Sequence, residues 1–289
     1  MKILPGCLLI VQLAAIPCLS TETDPRDRWT PVQLSLFEPY QLFSKYHTVY
    51  GFRFNLLFGS SRLVRGIDVG LVNHAGGMMG AQVGGFNFID RTWNDFRDEA
   101  GGDFKHSGVF QAGLANYNHW DFYGIQLGAV FNFSGGLYGI QVSPVNFSLE
   151  TMGFQAGIYN SPLDFYGVQA GVVNDVSSGA TQLFMMGGGG MHGIQLGALN
   201  RARHVDGVQI GAINRGSVDG MQLAVLLNTG GGVTGTQVGF INIANRTKGL
   251  QIGVINYTRQ MYGVQIGVIN IIREGAVPFL PIINASFSL

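Results

Sequence analysis

Side chains that could contact a solute or a ligand recur in this sequence at one position of a short repeat. A glutamine stands third in "GVQIGAIN", residues 207–214, and most copies of this motif carry glutamine at the same position. A glutamine amide both donates and accepts hydrogen bonds, so a ring of such side chains can line a polar channel. Stacked amides can instead bond to one another as a structural ladder. The candidate lumen-lining residues are Arg53, Asp68, Gln195, Gln209, Gln251 and Gln265.

A second group of candidate contact residues lies in the longest interruption of the repeat, residues 91–107. This insertion mixes charged and aromatic side chains, and we expect it to form a loop that contacts a ligand or a partner. A solvated loop that contains one decayed repeat would account for the same residues. The candidate contact residues of the loop are Trp93, Arg97, Asp98 and Lys105.

Patterns typical of enzymes and metal sites are missing from the sequence. The tetraglycine at residues 187–190 is followed by Met-His and not by the Lys-Ser/Thr of a phosphate-binding loop. The six histidines lie far apart without the spacing of metal ligands, and no serine stands in a nucleophile elbow. We therefore predict a protein without catalytic activity, cofactor or metal.

The unit that positions the glutamines is predicted to be one strand followed by one turn. In "GVQIGVIN", residues 263–270, apolar residues alternate with glycine and glutamine, which is the period-two pattern of a β-strand. Segments rich in turn formers follow each copy, and the closing asparagines recur every 14 residues from Asn200 to Asn284. So short a period indicates one supersecondary unit repeated in space.

Two all-β architectures accept this pattern. In an antiparallel transmembrane β-barrel, valine and isoleucine face lipid while glycine and glutamine line the interior. In a β-solenoid the repeats stack in parallel, valine and isoleucine fill the core, and glutamine and asparagine form ladders along the side. The ends favour the barrel, because "VYGFRFNLLFG" from Val49 and the C-terminal "FLPIINASFSL" each place large apolar residues on one face. We predict a barrel of about 14-residue single-strand repeats, with the β-solenoid as the alternative.

Composition and the first residues indicate an exported chain. Only 12% of the 289 residues are charged and the net charge is zero, so nucleic acid is not an expected partner. Residues 1–20 place Lys2 ahead of an apolar run and end in small residues, which is typical of a signal peptide. Cys7 and Cys18 would leave with this signal, although Cys18 could instead carry a lipid. Residues 21–289 then form a single repeat-built β domain, interrupted by the inserted loop.

The repeat resembles that of the bacterial surface-repeat family first recognised in leptospiral surface proteins, whose units read Gly-x-Gln-x-Gly-x-x-Asn. The resemblance covers residues 66–284 and departs from the pattern at Asp68, at 91–107 and at 181–190. It implies a location in the bacterial outer membrane or on the cell surface, and the family carries no agreed activity.

Two functions follow as predictions from these observations. The first is a non-enzymatic outer-membrane barrel that acts as a passive pore for small solutes and contacts membrane lipid. The alternative is a surface-exposed β-solenoid that acts in adhesion or interaction with a surface partner.

Overall fold

The computed structural model of the protein describes residues 28–90, 106–176 and 190–287. Nearly all of these residues lie in β-strands, and none of them forms a helix long and apolar enough to cross a membrane. The predicted signal peptide lies outside the described residues, and so does the inserted loop up to residue 105. The chain divides into two compact units, residues 1–135 and 136–289. The strands are β1 (Trp29–Phe37), β2 (Tyr40–Gln41), β3 (Thr48–Ser61), β4 (Leu63–Ala75), β5 (Met78–Ile89), β6 (His106–Asn118), β7 (Asp121–Val142), β8 (Val145–Asp175), β9 (Gly190–Ile252), β10 (Ile255–Ile272) and β11 (Phe279–Phe287).

Successive repeats stack in parallel and in register within each unit. In the second unit Gln265 of β10 lies opposite Gln251 of β9. The 63-residue β9 winds through several coils, since Gln195 and Gln209 both belong to it and are hydrogen-bonded to each other. In the first unit β4 and β5 pair in the same way. Each unit is therefore a β-solenoid, in which one repeat makes one coil.

The predicted transmembrane β-barrel is wrong, and the alternative solenoid describes the arrangement. Up-and-down strands need antiparallel neighbours, whereas only β1 with β2 and β10 with β11 are antiparallel among the strand pairs described. The segments expected to be turns, such as residues 201–206, are themselves extended. Within each coil these segments lead the chain back to the end at which the motif began. The next motif therefore runs in the same direction as the one before it. With the barrel, the lumen that the predicted pore requires is lost.

A glycine at the start of each motif makes the close stacking of the coils possible. The φ angle of Gly207 is 144°, in a region that residues with a side chain rarely adopt. A Cβ atom there would lie 2.1 Å from the carbonyl oxygen of Gly193 in the preceding coil. Backbone conformation and close approach of the neighbouring coil thus both require glycine at this position.

The faces of the strands are the reverse of those expected for the solenoid alternative. The glutamine and asparagine of each motif are buried in the coil, whereas the valines and isoleucines between them point outward, with Val225 75% exposed and Val268 64% exposed. Apolar burial comes instead from the segments between motifs. In the second unit it includes the contiguous cluster Phe165, Val176, Met191, Ala202, Val205 and Val218. The solenoid interior is thus polar beside the motif and apolar beside the connecting segments.

Candidate functional surfaces

The four predicted lumen-lining glutamines form part of a hydrogen-bonded ladder inside the second unit. Each donates from Nε2 to the Oε1 atom of the glutamine one coil earlier, at 2.7 Å from Gln209 to Gln195 and 2.7 Å from Gln265 to Gln251. Gln195, Gln209, Gln251 and Gln265 are all fully buried. They therefore occupy the interior of the coils, where each amide nitrogen satisfies the amide oxygen of the preceding glutamine.

A second ladder, made by the closing asparagines, runs in the opposite direction. The Nδ2 atom of Asn200 donates to Oδ1 of Asn214 in the next coil at 2.9 Å, and also to the carbonyl oxygen of Ile210 at 2.8 Å. Asn214 repeats both contacts, to Asn228 and to the carbonyl oxygen of Leu223. Each of these asparagines thus binds both a backbone carbonyl and the closing asparagine of the next coil. Because the two rows of amides point in opposite directions, their dipoles oppose one another.

Arg53 and Asp68 take the ladder position in the first unit and form a buried ion pair. The Nε atom of Arg53 donates to Oδ1 of Asp68 at 2.7 Å, and a second guanidinium nitrogen donates to Oδ2. The carboxylate also accepts hydrogen bonds from Asn55 and Gln82. A carboxylate accepts but does not donate, so Asp68 ends the row of donating glutamines, and Arg53 neutralises its charge. Both residues therefore close the ladder and line no channel.

His74 lies beside this pair and is held in its neutral form. Burial lowers the pKa of His74 to about 4, and the hydrogen bond to the carbonyl oxygen of Asp90 acts in the opposite direction. The Nε2 atom lies 2.9 Å from that carbonyl, which can only accept, so Nε2 carries the proton. Nδ1, 3.0 Å from Oγ of Ser60, then accepts the hydroxyl hydrogen. Both ring nitrogens are thus satisfied without a positive charge.

Acid is therefore expected to destabilise the first unit through His74. The folded-state pKa lies below the unfolded value of 6.5, so the stabilisation is complete above about pH 6.5 and is lost as the pH falls towards 4. This difference corresponds to about 3 kcal/mol. Urea unfolding of the wild type between pH 7 and pH 4 should show this loss, and His74→Gln should show a clearly smaller one. Identical pH dependence in the two proteins would contradict the assignment.

The predicted loop contacts Trp93, Arg97, Asp98 and Lys105 lie outside the described residues. Within the described ranges, no group of three or more His, Cys, Asp or Glu side chains could hold a metal ion. The described surfaces that can contact a partner lie on the outside of the coils.

The first such surface is formed by outward-facing residues of the motif in the second unit, which we call the apolar wall. At the second, fourth, sixth and seventh positions of its nine described coils no residue is charged. Tyr166 and Tyr262, which immediately precede the first glycine of their motifs, are exposed at its edge. The most exposed members of the wall are Ile158, Val172, Ile210, Val225, Leu226, Phe240, Ile266 and Val268.

The second surface is a groove formed by the segments between motifs, which we call the basic trough. It consists of two adjoining depressions of about 680 and 570 Å³ that share Gly231 and Asn245. Glycine at residues 230–232 makes its floor, and no acidic residue lines it. Its cationic residues are Arg201, Arg203, Arg215, Arg246 and Lys248.

Sequence reasoning missed the basic trough because its cations are not neighbours in the chain. Arg201 and Arg215 lie one repeat apart, so no run of basic residues shows in the sequence. Parallel stacking places corresponding residues of successive coils about 4.8 Å apart. Alignment of the connecting segments at the repeat period, in addition to the motifs, would have shown both arginines directly after the closing asparagine.

No family model, curated protein or solved structure matches this chain. Its class is therefore defined by the architecture of its two units: it is a β-solenoid repeat protein whose interior is polar beside the motifs. Fourteen-residue coils are compatible with the resemblance to the bacterial surface-repeat family, which stays a prediction.

Proposed function

We propose that this chain is a non-enzymatic, surface-exposed β-solenoid that interacts with a membrane, and that its apolar wall rests on lipid. The observation that carries the proposal is the absence of charge from the wall of the second unit. Apolar side chains that project from a folded sheet gain free energy when a partner removes them from water. A surface of this kind marks an interaction site.

The extent of the wall supports a broad, flat partner. The nine described coils of the second unit, at about 4.8 Å per coil, extend over about 38 Å. With a width of about five strand residues the wall covers about 600 Å², the upper end of what soluble monomers expose. A lipid surface can cover such an area without matching each side chain.

Two tyrosines at the edge of the wall suit a lipid surface, and the same edge position carries Asp206, Asp219 and Lys248 in other coils. Tyr166 and Tyr262 have apolar rings and polar hydroxyl groups, and such side chains concentrate where a membrane meets water. The wall itself contains no arginine and only two side chains that can form hydrogen bonds, Tyr159 and Thr236, so it offers little of the polar specificity of protein interfaces. The predicted export signal and the family resemblance agree with a bacterial outer-membrane or cell-surface location, which belongs to the same proposal.

Charge on the wall is expected to abolish binding to lipid vesicles. The mature wild-type protein should float with neutral phosphatidylcholine vesicles, and Val225→Asp/Val268→Asp should lower the bound fraction at least about tenfold because two carboxylates must then be desolvated. Asn245→Asp, which adds a carboxylate to the connecting segments, is the matched control and should float like the wild type. Circular dichroism checks that all three proteins are folded.

Two results would overturn the proposal. The first is a wild-type protein that does not float with vesicles. The second is a wild type that forms a dimer in solution while Val225→Asp/Val268→Asp is monomeric, because the wall would then be covered by a second copy of the chain.

A further inference from the structure

The basic trough is a second surface that the contact with lipid does not use. It lies in the segments after the closing asparagines, whereas the wall lies in the motifs themselves. We propose that the trough binds a linear acidic polysaccharide whose sugars carry carboxylates. This goes beyond the proposed membrane interaction and stands on different residues.

The charges of the trough are largely uncompensated. Among the described residues Arg203, Arg215, Arg246 and Lys248 make no ion pair, and only Arg201 does, with Asp175 at 3.7 Å. The whole chain has a net charge of zero, so five cations around one groove are a local concentration of positive charge. An anionic ligand is therefore attracted to this groove.

The shape of the trough suits an extended chain. Its lining runs from the coil of Arg201 to that of Gln260, which is four coil steps or about 19 Å. Its floor is low because side chains are missing there: a Cβ atom added to Gly232 would meet nothing within 4 Å. A linear polymer can lie along this floor and meet cations in the coils before and after it.

The chemistry of the lining favours a sugar acid. Guanidinium groups bind carboxylates through two parallel hydrogen bonds. Ser217, Thr229, Thr234 and Asn245 also line the trough and can bond to sugar hydroxyls. No aromatic ring lines the trough, so the stacking platform by which proteins hold single-stranded nucleic acid is missing from it.

The proposal is tested by calorimetric titration of the full mature protein with an oligogalacturonate that is long enough to span the trough. The same oligomer with methyl-esterified carboxylates is the matched ligand, and it should bind at least about tenfold more weakly because the paired charges are gone. Binding of the acidic oligomer should also weaken as salt is added, since the cations are exposed.

Three variants locate the binding site. Arg203→Gln/Arg215→Gln should weaken binding about tenfold or more, and Gly232→Trp should abolish it by filling the floor. Gly232→Trp should unfold like the wild type because the space around Gly232 is open. Arg273→Gln removes an exposed arginine of the same unit outside the trough and should leave binding unchanged.

Four results would overturn this inference: no binding of the acidic oligomer, equal binding of its ester, unchanged binding by Gly232→Trp, or tighter binding of an oligothymidylate of equal charge. The trough variants should still float with vesicles. Failure of the polysaccharide proposal is thereby distinguished from failure of the proposed membrane interaction.

Discussion

Replacement of Asp68 by asparagine is expected to lower the free energy of unfolding by about 3 to 5 kcal/mol. Asp68 accepts hydrogen bonds from Arg53, Asn55 and Gln82, and it is fully buried together with Arg53. Asparagine has the same shape but no charge, so the guanidinium would be buried without a counter-ion. The NH₂ group of the new asparagine would also point at hydrogen-bond donors, because Arg53, Asn55 and Gln82 all donate to this position. Urea unfolding near neutral pH measures the change.

A double variant separates the lost charge pair from damage to packing. Arg53→Gln/Asp68→Gln places an amide at both positions, and each can donate towards the preceding coil as Gln82 does. This change extends the ladder and removes both charges, so we expect it to recover at least about half of the loss. A double variant that is less stable than Asp68→Asn would show that the pair does more than close the ladder.

Replacement of Gln209 by leucine is expected to cost about 2 to 6 kcal/mol, because it leaves two buried polar groups without partners at about 1 to 3 kcal/mol each. Gln209 donates to Gln195 at 2.7 Å and accepts from Gln222 at 2.8 Å. Leucine is close to glutamine in size, so packing contributes little to the change. The orphaned atoms would be Oε1 of Gln195 and Nε2 of Gln222. Denaturant unfolding of the full chain measures the loss.

The same substitution at the surface provides the control. Gln260 donates to Glu274 at 2.8 Å, but this bond is exposed, and water can replace it. Gln260→Leu should therefore cost less than about 1 kcal/mol.

The double variant Gln195→Leu/Gln209→Leu should cost less than the sum of the two single changes, because the two positions share one hydrogen bond. A double variant whose loss of unfolding free energy equals the sum of the two single losses would contradict a cooperative ladder.

Much of the local structure could be predicted from the residues themselves. Alternation in "GVQIGVIN" correctly separates Gln265 from Ile266 and Val268, one on the buried face and the others on the exposed face. The glycine that opens the motif also has a local reason, a positive φ. The asparagine that closes it does not, because its hydrogen bond to the backbone reaches the next coil. The repeat period likewise becomes the length of one coil.

The candidate surfaces could be predicted only in part. The apolar wall follows from the motif, although its partner was expected to be the lipid around a barrel. The basic trough does not follow from any continuous segment, because Arg203 and Lys248 come together only when four coils are stacked. The role of Arg53 and Asp68 was also hidden, since an ion pair at a ladder position looks in sequence like two isolated charges.

The sequence by itself determined that the chain forms strands, that each repeat is about 14 residues long, and that the glutamine of a motif lies on the opposite face from the apolar residue that follows it. Only the tertiary structure decided that neighbouring repeats are parallel, that the amides lie inside, and that the connecting segments are strands too. The physical reason is that alternation is a property of one strand, whereas the direction of the next strand depends on the path of the chain between them. Buried amides are stable here because each coil supplies the hydrogen-bonding partners of the next, and that complementarity exists only after stacking.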